Sequence, residues 1–386
     1  MEWIVDRILI FLYYLFRIFP INNRKIVITS YLGRGYGDNG KYIVDELLRQ
    51  GKGYDIVWLC KDMSEQFPKG IRVVNYRSLK SIYEQVTARV WIDNRRKPLF
   101  VRKRPGQFYI MTWHSNIALK KVEKDVADNL EPRYVASAKN DSKMIDLFLS
   151  GSRWETGCIR NAFWYDGPIK QCGYPRQDPF VDAEGTFAQK IRSYYGIDPD
   201  AKILLYAPTF RQSKDEKSLK AYKLDWTKTL AALEERFGGH WVGLIRLHPN
   251  VISLASKLEL PETVINVTEY NDMQELIVAC DCLITDYSST IMEAGIAKKI
   301  GLIYATDFDE YKQDRDVYFD IQGELPFPFS DSDELLQKNI LEFNSDDYYA
   351  ELDKFFNEEF GIVCNGDASK KVCGVIDKVI SRKNRS

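Results

Sequence analysis

Histidine is scarce in this chain: three residues in 386, at positions 114, 240 and 248. His114 closes the apolar run "QFYIMTW" (Gln107–Trp113) and is followed by Ser115 and Asn116. An imidazole of ordinary pKa, near ~6.5, at a strand end can take a proton from an alcohol at neutral pH. His248 ends a second apolar run in "RLHP", whereas His240 starts that run without a motif and reads as structural. The second half carries further polar groups at the ends of apolar runs: Thr209 and Arg211 in "YAPTFR", Arg246 beside His248, Asn271 and Glu275 in "TEYNDMQEL", and Asp286, Ser288, Ser289 and Thr290 in "ITDYSST". Three hydroxyl residues opening a helix offer O–H groups, backbone N–H groups and the positive end of the helix dipole, a set that suits phosphate. Simple N-capping needs only one hydroxyl. It leaves Arg211 and His248, at neighbouring strand ends, unexplained.

The elements that must position these groups alternate. After Pro20, "KIVITSY", "YDIVWLC", "IRVVNY", "ARVWIDN" and "QFYIMTW" read as strands, with helices at "NGKYIVDELLRQG" and near Lys80–Val86. Ser137–Phe163 reads as helical. A polar helix, "AEGTFAQKIRSYYGI", leads to a second series with strands "KILLYAP", "HWVGLIRLHP", "TVINVT", "DCLITDY" and "IGLIYAT", and three helices follow from Ser332 to Arg382. Short apolar strands alternating with helices give parallel sheets covered on both faces. The expected fold is α/β and GT-B-like: two doubly wound, Rossmann-like domains facing a cleft, with ligands at the carboxyl ends of the strands. The expected boundaries are an interfacial helix over 1–20, an N-terminal domain over 21–180, a C-terminal domain over 195–365 and a final helix over 366–386. Gly35, Gly37 and Gly40 spell GxGxxG, with Asp62 about 20 residues on. Four residues separate the strand from the first of these glycines, so the loop reads as a backbone surface lining the cleft rather than a dinucleotide site.

Net charge is −1, which excludes a nucleic-acid binder by charge. Seven cysteines without a CxxC pair read as reduced thiols. "WIVDRILIFLYYLFRIF" (Trp3–Phe19) would make a helix of about 25 Å, short of the ~30 Å hydrocarbon core. Asp6, Tyr13 and Arg17 fall on one helical stripe. The segment reads either as a helix docked on the protein's own core or as an interfacial helix. "RRKPLFVRKR" (Arg95–Arg104) holds six basic residues and no acid. It reads as a solvated loop or as a partner for an anionic leaflet or a lipid-linked pyrophosphate.

Taken together, "TWHSNIALKK", "GYPRQD", "LLYAPTFR", "RLHP", "LITDYSSTIMEA", "FDEY" and "RDVYFD" resemble the CDP-glycerol glycerophosphotransferase family, with the short, primase-type members closer in length than the long polymerases. The "GRGYGDNGKYI" loop is similar to the family's N-terminal loop. Ser115 and Asp316 stand where the family usually has glycine, departures that bear on acceptor and donor fit more than on reaction class. The resemblance implies attack of an acceptor hydroxyl on the β-phosphorus of CDP-glycerol, with CMP leaving. His114 would be the general base, and His248 would face the donor phosphates as hydrogen-bond donor or acid. Thr209, Arg211, Arg246, Glu275, Asp286, Ser288, Ser289, Thr290 and Arg315 would bind the donor, with Glu275 or Glu293 on the ribose. Arg95, Arg96, Arg102, Lys103 and Arg104 would face the acceptor or the membrane. No metal or other cofactor is expected: the "DFD" of Asp307–Asp309 looks like a metal-binding triplet but lies in the "FDEY" stretch. The implied partners are CDP-glycerol, an undecaprenyl-diphosphate-linked sugar acceptor and an anionic membrane surface, with no nucleic acid. The implied location is the cytoplasmic face of the membrane, peripherally bound. The rival readings are a CDP-ribitol enzyme, a glycosyltransferase using a nucleotide sugar, and a non-catalytic nucleotide-binding or scaffold protein.

Overall fold

Asn22–Thr29 (β1) has five consecutive buried residues at its carboxyl end, the signature of a strand covered on both faces. The computed structural model places it in a parallel sheet and describes residues 2–182, 184–209, 211, 222–247, 260–308 and 316–382. The chain divides into two compact units, Met1–Asn116 with Val122–Asp178 and Val363–Ser386, and Ile117–Lys121 with Pro179–Ile362.

The first unit holds a seven-stranded sheet. Its strands are β1, Asp55–Cys60 (β2), Ile71–Asn75 (β3), Ala88–Asp93 (β4), Phe108–Met111 (β5), Leu147–Ser150 (β6) and Ile169–Gln171 (β7). The order is β3-β2-β1-β4-β5-β6-β7 and every pairing is parallel. Alternation along each strand sends side chains to two cores. Val27, Val57, Leu59, Trp91, Tyr109 and Met111 share one, while Ile26, Ile28, Ile56, Trp58, Val90 and Ile110 share the other. Sheet growth reverses between β1 and β4, and a doubly wound sheet opens a ligand crevice at that point. The C-terminal helix Ala368–Ser381 returns to this unit, packing Val372, Cys373 and Ile376 with Ile43 and Leu47 of the helix Asp38–Gln50.

The second unit repeats the plan. Lys202–Tyr206 (β8), Trp241–Ile245 (β9), Val264–Asn266 (β10), Cys282–Thr285 (β11), Ile300–Tyr304 (β12) and Phe329–Ser330 (β13) form a parallel sheet in the order β10-β9-β8-β11-β12-β13. Its reversal lies between β8 and β11. The short segment Ile117–Lys121 belongs here, with Lys120 in an antiparallel bridge to Val317 and the Lys121 N–H donating to the Asp316 carbonyl at 3.1 Å.

Two local expectations change. Ser137–Phe163 is not one helix: Pro132–Ser142 and Arg153–Ala162 are helical, and β6 runs between them. Gly151 sits at the end of β6, where a side chain would collide with Asn116, and Ser152 caps the next helix. At the N-terminus, the helix Glu2–Leu15 (α1) turns its polar stripe inward. Tyr13 is fully buried, and Asp6 is buried with its carboxylate accepting from Arg133 Nη2 at 2.8 and 3.0 Å. Leu9, Leu12 and Phe16 pack on the same core. The outward face is largely apolar, with Trp3, Ile8 and Phe11 exposed at 66%, 54% and 62%. Among the described residues no helix is long and apolar enough to cross a membrane.

Candidate active site

The reversal point of the first sheet gathers the loops after β1, β4 and β5. They carry Tyr31, Asn94 and His114 respectively. Four non-glycine residues here adopt left-handed backbone angles: Tyr31 (φ 44°), Leu32 (φ 56°), Asp38 (φ 58°) and Trp113 (φ 54°). Each such residue costs on the order of 1–3 kcal/mol and persists only where its surroundings hold it. The holding contacts are specific. The Tyr31 N–H donates to Asn94 Oδ1 at 2.7 Å, the Asn39 amide donates to the Trp113 carbonyl at 3.0 Å, and the Arg176 N–H donates to Asn39 Oδ1 at 3.1 Å.

His114 is partly buried, its ring edge-on to Tyr31 at 5.6 Å and its Nδ1 2.9 Å from the Asn94 carbonyl oxygen. A carbonyl can only accept, so Nδ1 carries the hydrogen. Nε2 is then left with its lone pair, the form a general base needs. Burial, followed by the nearby Arg95 charge, pushes the His114 pKa down to about 4. The ring is therefore neutral at neutral pH. Beside it, the Asp38 carboxylate accepts from Tyr31 Oη and Arg176 Nη1, both at 2.8 Å. Burial works to raise the Asp38 pKa, but Arg176 and the Asn39 N–H outweigh it and hold the carboxyl below its usual value. Asp38 and Arg176 are both buried, and sequence reading did not single out either. Their only signal is an acid opening a helix in "GYGDNG" and an arginine in "GYPRQD". The Gly-rich loop thus contributes Asp38 to the His114 shelf. Its last glycine, Gly40, lets the helix approach the sheet, since a Cβ there would lie 2.9 Å from Trp58.

A second buried carboxyl lies behind the shelf. Glu155 accepts from the Gly151 N–H at 2.7 Å and from the Tyr174 hydroxyl, and burial pushes its pKa up to about 8.

In the second unit the reversal point gathers Thr209, Arg211 and Asp286. Asp286 accepts from the Thr209 N–H at 2.9 Å, from the Thr209 hydroxyl and from Arg211 Nη2 at 2.8 Å. Arg211 also makes a two-pronged pair with Asp307, at 2.7 and 3.0 Å, and Tyr287 Oη donates to the same carboxylate at 2.8 Å. Arg211 therefore stands between two carboxylates, and the cluster of these three charges is net negative. Its geometry ties three loops together rather than presenting a free cation. Ser288, Ser289 and Thr290 are accessible at the start of the helix Thr290–Ile296. Ser288 Oγ accepts the Thr290 N–H at 3.2 Å and lies 2.8 Å from the Thr290 hydroxyl, while Ser289, the N-cap residue, makes no side-chain cap.

Other expected donor residues lie apart. Glu275 is buried, taking hydrogen bonds from Lys190 Nζ at 2.7 Å and from the Tyr270 hydroxyl. Glu293 is buried and accepts from Gln274 at 2.6 Å. Arg246 is partly buried just after β9. His248, Arg315 and Asp309 lie outside the described residues. Among the described residues no group of three His, Cys, Asp or Glu side chains is arranged to hold a metal ion; Asp307 is engaged by Arg211 and Tyr287.

The basic run divides. Arg96 cannot face an acceptor or a membrane: it is buried, with Nη2 2.9 Å from Glu123 and Nη1 3.4 Å from Asp141. Arg95 is exposed. Lys103 pairs with Asp146, and Arg104 donates to the Arg17 and Phe19 carbonyls at 3.2 and 2.9 Å, beside the end of α1.

Comparison with known proteins adds the following. The family model described as CDP-Glycerol:Poly(glycerophosphate) glycerophosphotransferase matches residues 11–378. A teichoic acid poly(glycerol phosphate) polymerase of Staphylococcus epidermidis is 29% identical over 94% of this chain, which spans 52% of that protein's length. A teichoic acid glycerol-phosphate transferase of Staphylococcus aureus is 28% identical, with 92% of this chain and 94% of the relative covered. A solved structure of the wall teichoic acid polymerase TagF superposes with a TM-score of 0.83 at 29% identity, covering 98% of this chain and 95% of that one. A TagF variant soaked with CDPG gives a TM-score of 0.80 at 28% identity, with the same coverage.

Proposed function

Because the chain belongs to the CDP-glycerol:poly(glycerophosphate) glycerophosphotransferase family, we propose that it moves glycerol phosphate from CDP-glycerol to a hydroxyl of a lipid-linked sugar acceptor. The acceptor oxygen attacks the β-phosphorus, the bond from that phosphorus to the bridging oxygen breaks, and CMP leaves with the electron pair. His114 Nε2 takes the acceptor proton. The observation that carries this reading is the His114 shelf: a neutral imidazole, its tautomer fixed by the Asn94 carbonyl, at the reversal point of a doubly wound sheet. Two TagF structures soaked with CDPG are among the folds this chain matches, which supports CDP-glycerol as the donor.

The two units would divide the work as in a GT-B-like enzyme, the first taking the acceptor and the second the donor. Ser288, Ser289, Thr290 and the amides of their turn would receive the diphosphate, together with His248 and Arg315. Arg211 would hold the loops in place. The transfer would run without a metal ion, since the Asp307 carboxylate is already engaged by Arg211 and Tyr287. The outward, largely apolar face of α1, with Arg7 over the Trp3 ring, would rest on the cytoplasmic leaflet. Purified protein given CDP-glycerol, CDP-ribitol or UDP-sugars and a lipid-linked disaccharide should release CMP from CDP-glycerol, undiminished by EDTA. Turnover of a UDP-sugar in preference to both CDP donors would overturn the reading.

A further inference from the structure

A cavity of about 230 Å³ opens beside α1 and is walled mainly by Leu9, Tyr13, Tyr76, Ile82, Phe100 and Val101. It is small against the ~300–1,000 Å³ of sites that enclose whole small ligands, so it has room for a stretch of chain and not for a headgroup with sugars. Its walls come from α1, from the helix Leu79–Thr87 and from the loops after β3 and β4. Both helices also expose apolar side chains outward: Ile8, Phe11 and Leu79. Apolar surface of this kind beside an apolar cavity marks a place that something apolar covers.

Two features decide what the occupant is. Arg77, which lines the cavity, is exposed and makes no ion pair among the described residues, so a cation stands free for an anionic headgroup. Lys97, on the same wall, pairs with Asp93 at 2.9 Å. Asp93 in turn accepts the Asn94 N–H at 2.9 Å, and the Asn94 carbonyl holds His114. The cavity is thus one ion pair and one residue from the base. We propose that it seats the hydrocarbon chain of the lipid-linked acceptor, next to its diphosphate, so that the tail positions the sugar hydroxyl at His114. The inference rests on the acceptor class given under Proposed function.

The test uses the full chain and acceptors with one disaccharide-diphosphate headgroup and saturated tails of increasing length. Each methylene removed from water is worth about fourfold. For the native protein kcat/KM should climb with length while the cavity fills, then level off. Leu9→Trp fills the cavity from the helix side. It should reduce the ratio of kcat/KM for long-tailed over tail-less acceptor at least tenfold. Vesicle binding, which uses the opposite face of α1, should not follow that ratio. A flat length dependence in the native protein, or an unchanged ratio in Leu9→Trp, would overturn the proposal. A diazirine-bearing tail on the native protein gives a second reading that needs no turnover. Labelling should fall on peptides containing Ile82 and Phe100–Val101, and labelling confined to other peptides would overturn it. If CDP-glycerol is not turned over with any acceptor, the proposed reaction fails, while the label still reports on the cavity.

Discussion

At the scale of single residues, the proposed chemistry rests on an imidazole held neutral. Replacing His114 by Ala should lower turnover by about 10²–10⁴-fold, the usual worth of a general base, while CDP-glycerol binding measured by calorimetry stays close to native. Near-native turnover would remove His114 from the mechanism. In the proposed mechanism the neutral ring is the active form, and its pKa is pushed down to about 4 by burial. The acid limb of kcat/KM should therefore fall well below pH 6; a limb at 6.5 or above would mean an ordinary, solvated imidazole. Stability carries an opposing pair. Between pH ~4 and ~6.5 the unfolded chain binds a proton at His114 that the native chain does not, so this group makes stability rise with pH. Glu155, pushed up to about 8, keeps its proton in the native state after the unfolded chain has lost it near ~4.3. That group makes stability fall as pH rises from ~4.3 to 8. Glu155→Gln mimics the protonated form: its oxygen can still accept the Gly151 N–H, and its NH2 can donate to the Tyr174 oxygen in place of the acid proton. Its urea midpoint should match native near pH 4 and exceed it increasingly up to pH 8–9. Parallel midpoint curves would show that Glu155 ionises normally.

At the scale of elements, the strands were the most legible part of the sequence. A parallel strand covered on both faces is a continuous apolar run, and "KIVIT", "DIVWLC", "ILLY" and "CLIT" stand out from polar surroundings. β6 was missed because its four residues sit between two helices whose periodicity runs up to it. His114 and Asp286 were legible because they close such runs. Asp38 was not, because its partner Arg176 lies 138 residues away, a pairing that no local pattern encodes. The same holds for Arg96, whose acidic partners turn part of an apparently solvated basic loop into interior. Arg211 was read as a phosphate ligand from its motif, yet Asp286 and Asp307 make it a clamp on the loops after β8, β11 and β12. A buried ion pair stripped of one partner costs about 3–5 kcal/mol. Arg211→Ala should lose stability of that order in urea unfolding. Arg211→Lys, which keeps the charge but not the two-pronged geometry, should lose less. A change under about 1 kcal/mol for Arg211→Ala would return Arg211 to a pure ligand role.

At the scale of the whole molecule, the charge balance and α1 have to be reconciled. A chain of net charge −1 is not drawn to an anionic leaflet by its overall field, so contact with a membrane must be local. The proposed locality is the outer face of α1. The inner face of α1 is committed to the core through Tyr13, Leu9 and Asp6, and so deleting the helix would uncover interior surface and confuse stability with binding. Substitutions on the outer face avoid this. Ile8 and Phe11 are 54% and 62% exposed, and a large apolar side chain is worth roughly 1.5–3 kcal/mol on full burial. Ile8→Glu with Phe11→Glu should weaken binding to anionic vesicles by about 100-fold or more, with an unchanged melting temperature and unchanged turnover of a soluble acceptor analogue. Arg7, exposed on the same side, adds roughly 1 kcal/mol near an anionic surface, screened by salt, so native binding should also weaken as ionic strength rises. Native protein that ignores vesicles at low salt would leave α1 as a packing element whose outer face serves some other contact. Binding that survives both glutamates would place the membrane contact elsewhere on the chain.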